Sequence, residues 1–157
     1  MSNPVELIDN YVKGAETLRK AVAGMSTEQL KARPVPGKWS TLEVVCHICD
    51  FEPIMADRMK RTISMEKPLL FGADEKDFAR ALTYHDRDVE EELAIVERTR
   101  SQMARILRTL GDVGWQRVGM HNERGPMTLE AIVTTITRHI PHHVSFLREK
   151  RQALGLR

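Results

Sequence analysis

The feature that most constrains the fold of this chain is an apolar periodicity that is helical in four separate segments. In each segment apolar residues recur every three or four positions, which places their side chains on one face of an α-helix. No segment alternates apolar and polar residues between turn signals, so we assign no β-sheet. The 157 residues are enough for one domain with its own core. The sequence therefore predicts a single domain over residues 1–157, of the all-α class, folded as a four-helix bundle.

Signals for helix ends separate the four segments. Ser26 and Ser40 each begin a capping box, acidic residues from Asp88 onwards suit a helix start, and Thr128 is an expected N-cap. Pro53 lies inside the second segment, where it predicts a kink rather than a stop. The apolar faces consist of Val5, Ile8, Val12, Ala15, Leu18, Val22 and Met25; Val44, Ile48, Phe51, Met55 and Met59; Val89, Leu93, Val96, Met103, Ile106 and Leu110; and Leu129, Ile132, Ile136 and Leu147.

A long connection without clear periodicity runs from about residue 65 to residue 86, between the second and third helices. It contains Pro68 and Gly72, which both disfavour a continuous helix. Connections of this length in a compact domain are often functional. We therefore expect this segment to serve as a lid or as the wall of a pocket.

Three of the six histidines are predicted to point into the bundle. His139 and His143 are four residues apart and continue the apolar face of the fourth helix, so they stack about one turn from each other. His47 lies on the buried face of the second helix. Three inward imidazoles on two helices can hold a metal ion and leave positions open for water or substrate. The alternative is that they are packed core histidines with one hydrogen bond each.

The type of metal chemistry is narrowed only in part by these residues. Neutral imidazole suits zinc, nickel, copper or iron, and the ligand set does not choose among them. Ile140 stands where an H-E-x-x-H motif requires its glutamate, so that metalloprotease mechanism lacks its general base. Pro141, between the two histidines of the fourth helix, frees the carbonyl of Thr137. Asp50 and Glu52 are candidates to hydrogen-bond the ligands.

The other histidines have weaker claims to a site. His142 is turned about 100° from His143, towards solvent, and His85 is also expected to be solvated. His121 lies in a glycine-rich loop before the fourth helix, where it either approaches the mouth of a site or stabilises the loop; we favour the loop role. Arg58 and Arg61 are candidates to hold an anionic substrate, although spacing alone does not establish this.

Cys46 and Cys49 form a C-x-x-C pattern inside a helical segment. A thioredoxin-type pair requires a preceding strand and a helix N-terminus, and a zinc knuckle requires a second cysteine pair. The sequence has neither. We interpret the two cysteines as buried and reduced, with a redox switch as the alternative.

Charge and hydropathy restrict the partners and the cellular location. Twenty-four Lys and Arg residues against 22 Asp and Glu residues leave a formal charge of +2, whereas nucleic-acid and membrane-surface binding depend on a concentrated cationic field. No apolar run approaches the ~20 residues of a membrane span, and the N-terminal residues have no apolar core of a signal peptide. We expect a cytoplasmic protein that binds neither nucleic acid nor membrane.

Two stretches of the chain together resemble the DinB-like proteins. The first is Gly37-Lys38-Trp39-Ser40 followed by Val44, Val45, His47 and Asp50-Phe51-Glu52. The second is Trp115, His121, Gly125, Thr128-Leu129 and then His139-x-x-x-His143. The resemblance covers nearly the whole chain. It implies a four-helix bundle with a metal, commonly nickel or zinc, held by His47, His139 and His143.

The resemblance also implies a range of functions. Relatives include thiol-dependent transferases and isomerases as well as proteins described as metal-dependent hydrolases, and homodimers are common among them. We therefore expect a metal-dependent enzyme that acts on a small-molecule substrate, with a low-molecular-weight thiol as a candidate cosubstrate. The alternative is a bundle that binds metal or a small ligand without turnover. The residues name no general acid or base.

Overall fold

Four long helices form at the four segments with helical periodicity. The computed structural model describes residues 3–156, and its long helices are α1 Pro4–Val22, α3 Thr41–Ser64, α5 Val89–Leu107 and α7 Leu129–Ala153. Three short helices lie between them: α2 Thr27–Lys31, α4 Glu75–Ala81 and α6 Asp112–Trp115. Helix α1 packs on α5 and α7, and α3 packs on the same two helices. The predicted all-α four-helix bundle is confirmed.

The helix starts follow the capping residues of the sequence. Ser26 and Ser40 each accept a hydrogen bond from the backbone N–H three residues later, and the side chains of Gln29 and Glu43 bond back to the cap backbone. Both capping boxes are thus formed. Thr128 accepts from the backbone of the third residue of α7. These local bonds determine where α2, α3 and α7 begin, and therefore which side chains each helix turns inward.

The prediction that the chain has no sheet is wrong. Strands β1 Leu69–Leu70, β2 Val118–His121 and β3 Gly125–Thr128 form a small sheet in the order β1-β2-β3. Strand β1 is parallel to β2, and β2 is antiparallel to β3. Strands of two and four residues are too short to show a two-residue period, and β1 pairs with a segment about fifty residues later. Tertiary pairing therefore produced these strands.

The long connection after α3 is partly structured. It contains β1, α4 and a single 3₁₀ turn at Tyr84–Asp86. Asp74 caps α4 by accepting from the backbone of Lys76. The prolines inside the long helices do not end them, since α3 continues through Pro53 and α7 through Pro141. The expectation that Pro53 is not a helix stop is confirmed.

One fully buried side chain, Arg100 of α5, contacts the other three long helices. Its Nε donates to Glu52 Oε1 of α3 at 2.9 Å, and its Nη2 donates to the same oxygen. Its Nη1 donates to the backbone carbonyl of Tyr11 in α1 at 2.7 Å, and Nη2 also to that of Ile136 in α7 at 3.1 Å. The guanidinium stacks 4.6 Å from the centre of the Tyr11 ring. A charge removed from water is tolerated only with such complete pairing.

Gly14 in the middle of α1 provides the space for this guanidinium. A β-carbon at position 14 would overlap Nη1 of Arg100 and lie 3.3 Å from its Cζ. Both the ion pair to Glu52 and the two backbone hydrogen bonds restrain Arg100 from moving away. The glycine is therefore required by a close approach between α1 and a buried side chain, and not by an unusual backbone conformation.

We expect Gly14→Ala to destabilise the protein by about 2 kcal/mol, the range typical of overpacking. The sign of this change in unfolding free energy distinguishes the explanation, because a Gly→Ala substitution inside a helix ordinarily stabilises a protein by about 0.5–1 kcal/mol. Urea unfolding followed by circular dichroism measures the difference. Gly111→Ala is the control, because nothing lies within 4 Å of a β-carbon there. A Gly14→Ala variant more stable than the wild type would contradict this explanation.

We expect Glu52→Gln to cost about 3–5 kcal/mol, because it leaves the Arg100 charge buried without its counterion. The matched control is Glu97→Gln, which removes a carboxylate bonded to Arg19 at the half-exposed surface. Surface pairs contribute at most about 1 kcal/mol. Equal losses of unfolding free energy in the two variants would show that the buried pair is not a special constraint.

Candidate metal centre

The structure brings His47, His139 and His143 together with their Nε2 atoms facing one another. Each pair of Nε2 atoms is 3.1 Å apart, so the three nitrogens form an equilateral triangle. His47 is on the second turn of α3, after the Ser40 capping box, and the other two are one turn apart on α7. The three histidines selected from the sequence are therefore one cluster in space.

Hydrogen bonding alone does not satisfy this triangle. A ring nitrogen carries either one hydrogen or one in-plane lone pair, so three mutual hydrogen bonds would require each Nε2 to donate and accept at once. At least one pair of Nε2 atoms must therefore consist of two donors or of two acceptors. A cation that accepts all three lone pairs removes the conflict. The triangle's corners lie about 1.8 Å from its centre, so the three nitrogens are close enough together to hold one ion through nitrogen bonds of ~2.0–2.1 Å. The residues present fit a divalent metal ion.

Burial keeps the three imidazoles neutral, which is the form that binds metal. Desolvation, together with the charges of the neighbouring histidines, lowers the pKa of His139 to about 3. Desolvation and His47 lower the pKa of His143 to about 4. The pKa of His47 is also lowered by burial. All three lone pairs are therefore available at neutral pH.

Aromatic rings surround the cluster and exclude water from one side. Phe51 lies 4.7 Å from His47 between ring centres, and Trp39 lies 5.5 Å from it. The outer nitrogens, Nδ1 of His47 and of His139, are buried and have no hydrogen-bond partner among residues 3–156. Metal-binding histidines usually donate from that nitrogen to a carboxylate or carbonyl. In this chain a bond at Nε2, rather than such a partner, would set the tautomer.

His139 and His143 line a cavity of about 640 Å³, which is the size of a small-molecule site. Its apolar walls include Trp39, Val44 and Phe146. Glu75, the first residue of α4, also lines it, with Oε2 3.7 Å from His47 Nε2. The sequence reasoning missed Glu75, because α4 is a seven-residue helix within the long connection. The acidic first turn after Asp74 was the available signal.

Neither acidic residue proposed to support the ligands does so. Asp50 receives both Nη atoms of Arg87, at 2.8 and 2.9 Å. Glu52 is held by Arg100. These two expectations are wrong because each carboxylate is already paired with a half-buried or buried arginine, which the helical period of α3 alone could not reveal. The neighbouring group of Cys49, Asp50 and Glu92 has metal-ligand chemistry, but Arg87 bridges its two carboxylates.

None of the remaining histidines is part of the triangle, although the ring of His142 lies 5.1 Å from that of His143 and lines the same cavity. His121 is buried on β2, where its Nδ1 accepts from the backbone of Glu123 at 3.2 Å. It therefore has a structural role close to the favoured one, on a strand rather than in a loop. His142 is exposed, as expected, whereas His85 is half-buried.

The two arginines considered for anion binding lie elsewhere. Arg58 donates to the carbonyl of Phe71 and lines a separate cavity of about 740 Å³, and Arg61 pairs with Asp57 on the same helix.

Cys46 and Cys49 are free thiols buried in α3. Burial raises the pKa of Cys46 to about 12, and it also raises the pKa of Cys49. The thiolate is the reactive form of cysteine, so both side chains are held in their unreactive state. This supports the interpretation as buried, reduced cysteines over a redox switch.

The fold and the site define a helical bundle with a three-histidine cluster beside a small-molecule cavity. The chain belongs to the DinB superfamily, whose family model matches residues 10–147. Within that family the chain is 27% identical over 139 residues to "Putative metal-dependent hydrolase YfiT" of Bacillus subtilis, covering 88% of this chain and 78% of the relative.

Other similarities agree with this assignment. A protein named "Putative metal-dependent hydrolase" from Geobacillus thermodenitrificans is 26% identical over 141 residues, covering 89% of this chain and 79% of the relative. The solved structure of Bacillus subtilis YfiT, described as "a probable metal-dependent hydrolase with an unusual four-helix bundle topology", matches with a TM-score of 0.92 at 24% identity, over 100% of this chain and 90% of that one. This structural match supports the fold.

None of the helices within residues 3–156 is both long and apolar enough to cross a membrane.

We expect one equivalent of zinc or nickel to bind the wild-type protein and His142→Ala but not His139→Ala. At a free metal concentration of about 100 times the dissociation constant, binding of one ion stabilises the folded state by about 2.7 kcal/mol. Thermal unfolding with and without added metal, with metal content measured after dialysis, provides the test. His142 is the matched control because it is exposed on the same helix. Equal stabilisation of His139→Ala would contradict the three-histidine assignment.

Proposed function

We propose that this chain is a metal-dependent enzyme in which His47, His139 and His143 hold a divalent metal ion, nickel or zinc. The observation that carries the proposal is the 3.1 Å triangle of neutral Nε2 atoms beside an open cavity. A site with three protein ligands and an open side is typical of catalytic rather than structural metals. The substrate is a small molecule, because the cavity has the volume of a small-molecule site.

The reaction class is hydrolysis or a thiol-dependent transfer or isomerisation. When bound, a divalent ion lowers the pKa of a water or thiol that coordinates it. The names of the relatives favour hydrolysis, and the DinB-like resemblance extends the class to a low-molecular-weight thiol as cosubstrate. Both reactions place a nucleophile next to an electrophilic carbon.

The chain's own residues supply positioning and a proton acceptor. Phe51 packs against His47 outside the cavity lining, and Trp39 packs against His47 from the cavity wall, so aromatic rings restrict the space through which substrate approaches the histidines. Glu75 Oε2 lies at the open side, 3.7 Å from His47 Nε2. Its side chain is half-exposed, so it can reorient towards a nucleophile in the cavity. We assign to Glu75 the role of accepting the proton of that nucleophile.

The decisive experiment compares metal-free and metal-loaded protein against two panels. One contains small esters and amides; the other contains electrophiles offered with different low-molecular-weight thiols. We expect turnover only with metal, lost in His139→Ala and retained in Arg138→Ala, an exposed residue of the same helix that does not line the cavity. Stoichiometric metal without turnover in either panel would instead favour a bundle that binds metal without catalysis.

We expect Glu75→Gln to lower kcat by about 10²–10⁴-fold, the usual contribution of a general base, and to leave the metal content unchanged. Asp77→Asn is the matched control, because it neutralises an exposed carboxylate of the same short helix that pairs with Arg80. Wild-type kcat in Glu75→Gln, with metal bound, would exclude Glu75 as the proton acceptor. Loss of metal in that variant would identify Glu75 as a ligand.

Four expectations stay predictions: a single domain over residues 1–157, a homodimer, a cytoplasmic location, and the absence of nucleic-acid and membrane partners.

A further inference from the structure

Among the described residues of the cavity wall, Lys150 is the one lysine whose side chain is buried. It lies in the last turn of α7 and is 2% exposed. The other two lysines of this wall, Lys38 and Lys76, are exposed. A lysine near a helix C-terminus gains from the helix dipole without being buried. The position of Lys150 near the C-terminus of α7 therefore does not explain why its side chain is buried.

No carboxylate among residues 3–156 forms an ion pair with Lys150. The two nearby acidic residues are Glu43 and Glu149, which act on it only at longer range. Both oxygens of Glu43 are already bonded, Oε1 to Arg33 and Oε2 to Arg33 and the backbone N–H of Ser40. Glu149 is an exposed neighbour on the helix. The buried stem of Lys150 therefore ends in an ammonium group at the cavity wall without a counterion among these residues, an unfavourable arrangement for a charge partly removed from water.

The surroundings increase this cost. Desolvation lowers the pKa of Lys150, Glu149 and Glu43 offset part of this effect, and the charge of Lys38 again lowers the pKa. The cavity wall thus contains a second positive charge near Lys150, with apolar Val44 and Phe146 beside it. A cavity wall that combines lysines with apolar side chains favours a ligand with an anionic group and an apolar body.

We propose that Lys150 is the anion-binding residue of this cavity, and that the substrate carries a carboxylate or phosphate group that pairs with it. Lys38 assists from the exposed rim. The inference rests on the proposed function, because it names the class of substrate that would bind in the cavity beside the metal centre. Lys150 follows His143 by seven residues, two helical turns, so the two lie on one face of α7 about 10 Å apart along its axis. The anionic group is therefore separated from the reacting bond.

The test uses two anionic probes, benzoate and phenylphosphonate, with benzyl alcohol as the neutral control. Calorimetric titration of the metal-free full chain avoids binding of the anion to a metal. We expect both anions to bind at least tenfold more tightly than benzyl alcohol. Lys150→Met should weaken anion binding at least tenfold, whereas Arg148→Met, an exposed residue of the same helix, should leave it unchanged. Failure of both anions to bind the wild type would overturn the proposal.

The outcome is separable from that of the proposed function. Anion binding that persists in His139→Ala, and is lost on adding Lys150→Met, supports the subsite whether or not the protein is an enzyme. Anion binding that requires metal and is equal in Lys150→Met would assign the anion to the metal. That result would overturn the subsite and leave the metal centre intact.

A structural role for Lys150 predicts the opposite change in stability. If Lys150 serves a ligand, its unpaired charge contributes nothing to the ligand-free fold and methionine preserves the packing of its buried stem, so the urea midpoint of ligand-free Lys150→Met should be equal to or higher than that of the wild type. Benzoate should raise the midpoint of the wild type only. Lys150→Gln provides a second neutral variant and should lose binding to the same extent. A lowered midpoint in both variants would identify Lys150 as a structural residue and overturn the proposal.

Discussion

The rest of the structure depends on the buried ion pair between Arg100 and Glu52. Its guanidinium bonds to α3, α1 and α7 from α5, so all four long helices are held in register at one level. The pair lies where two apolar clusters meet. One cluster is formed by residues 15–22 of α1, 42–49 of α3, 93–96 of α5 and 140–147 of α7. The second cluster is formed by the parts of the same four helices that lie on the other side of the ion pair. Because a half-paired charge here is so unfavourable, the helices have little freedom to slide or rotate.

That restraint is what positions the histidines. Ile136, whose carbonyl bonds Arg100, precedes His139 by three residues, and Glu52 follows His47 by five. The two histidine-bearing helices are therefore fixed against each other close to the triangle. The cluster and Lys150 are themselves unfavourable for stability, since the unpaired Nδ1 atoms of His47 and His139 and a lysine with a buried stem but no counterion gain little from folding. Proteins keep such groups chiefly at functional sites.

Much of this architecture was predictable because its causes are local. The capping boxes at Ser26 and Ser40 and the faces of the long helices follow from hydrogen bonds and side-chain spacing within a few residues. The same spacing selected the three histidines. The sheet, Glu75 and Lys150 could not be found this way. Two-residue β1 exists only because β2 lies beside it, and Glu75 and Lys150 reach the cavity from separate elements.

The sequence by itself determined the helices, their buried faces and the inward direction of His47, His139 and His143, because helix formation and amphipathic spacing are properties of neighbouring residues. Only the tertiary structure decided that the three Nε2 atoms meet at 3.1 Å, that Asp50 and Glu52 are used by arginines, and that Lys150 is buried without a counterion. Those facts depend on which helices lie side by side and at what height, and that is decided by packing between residues distant in the chain.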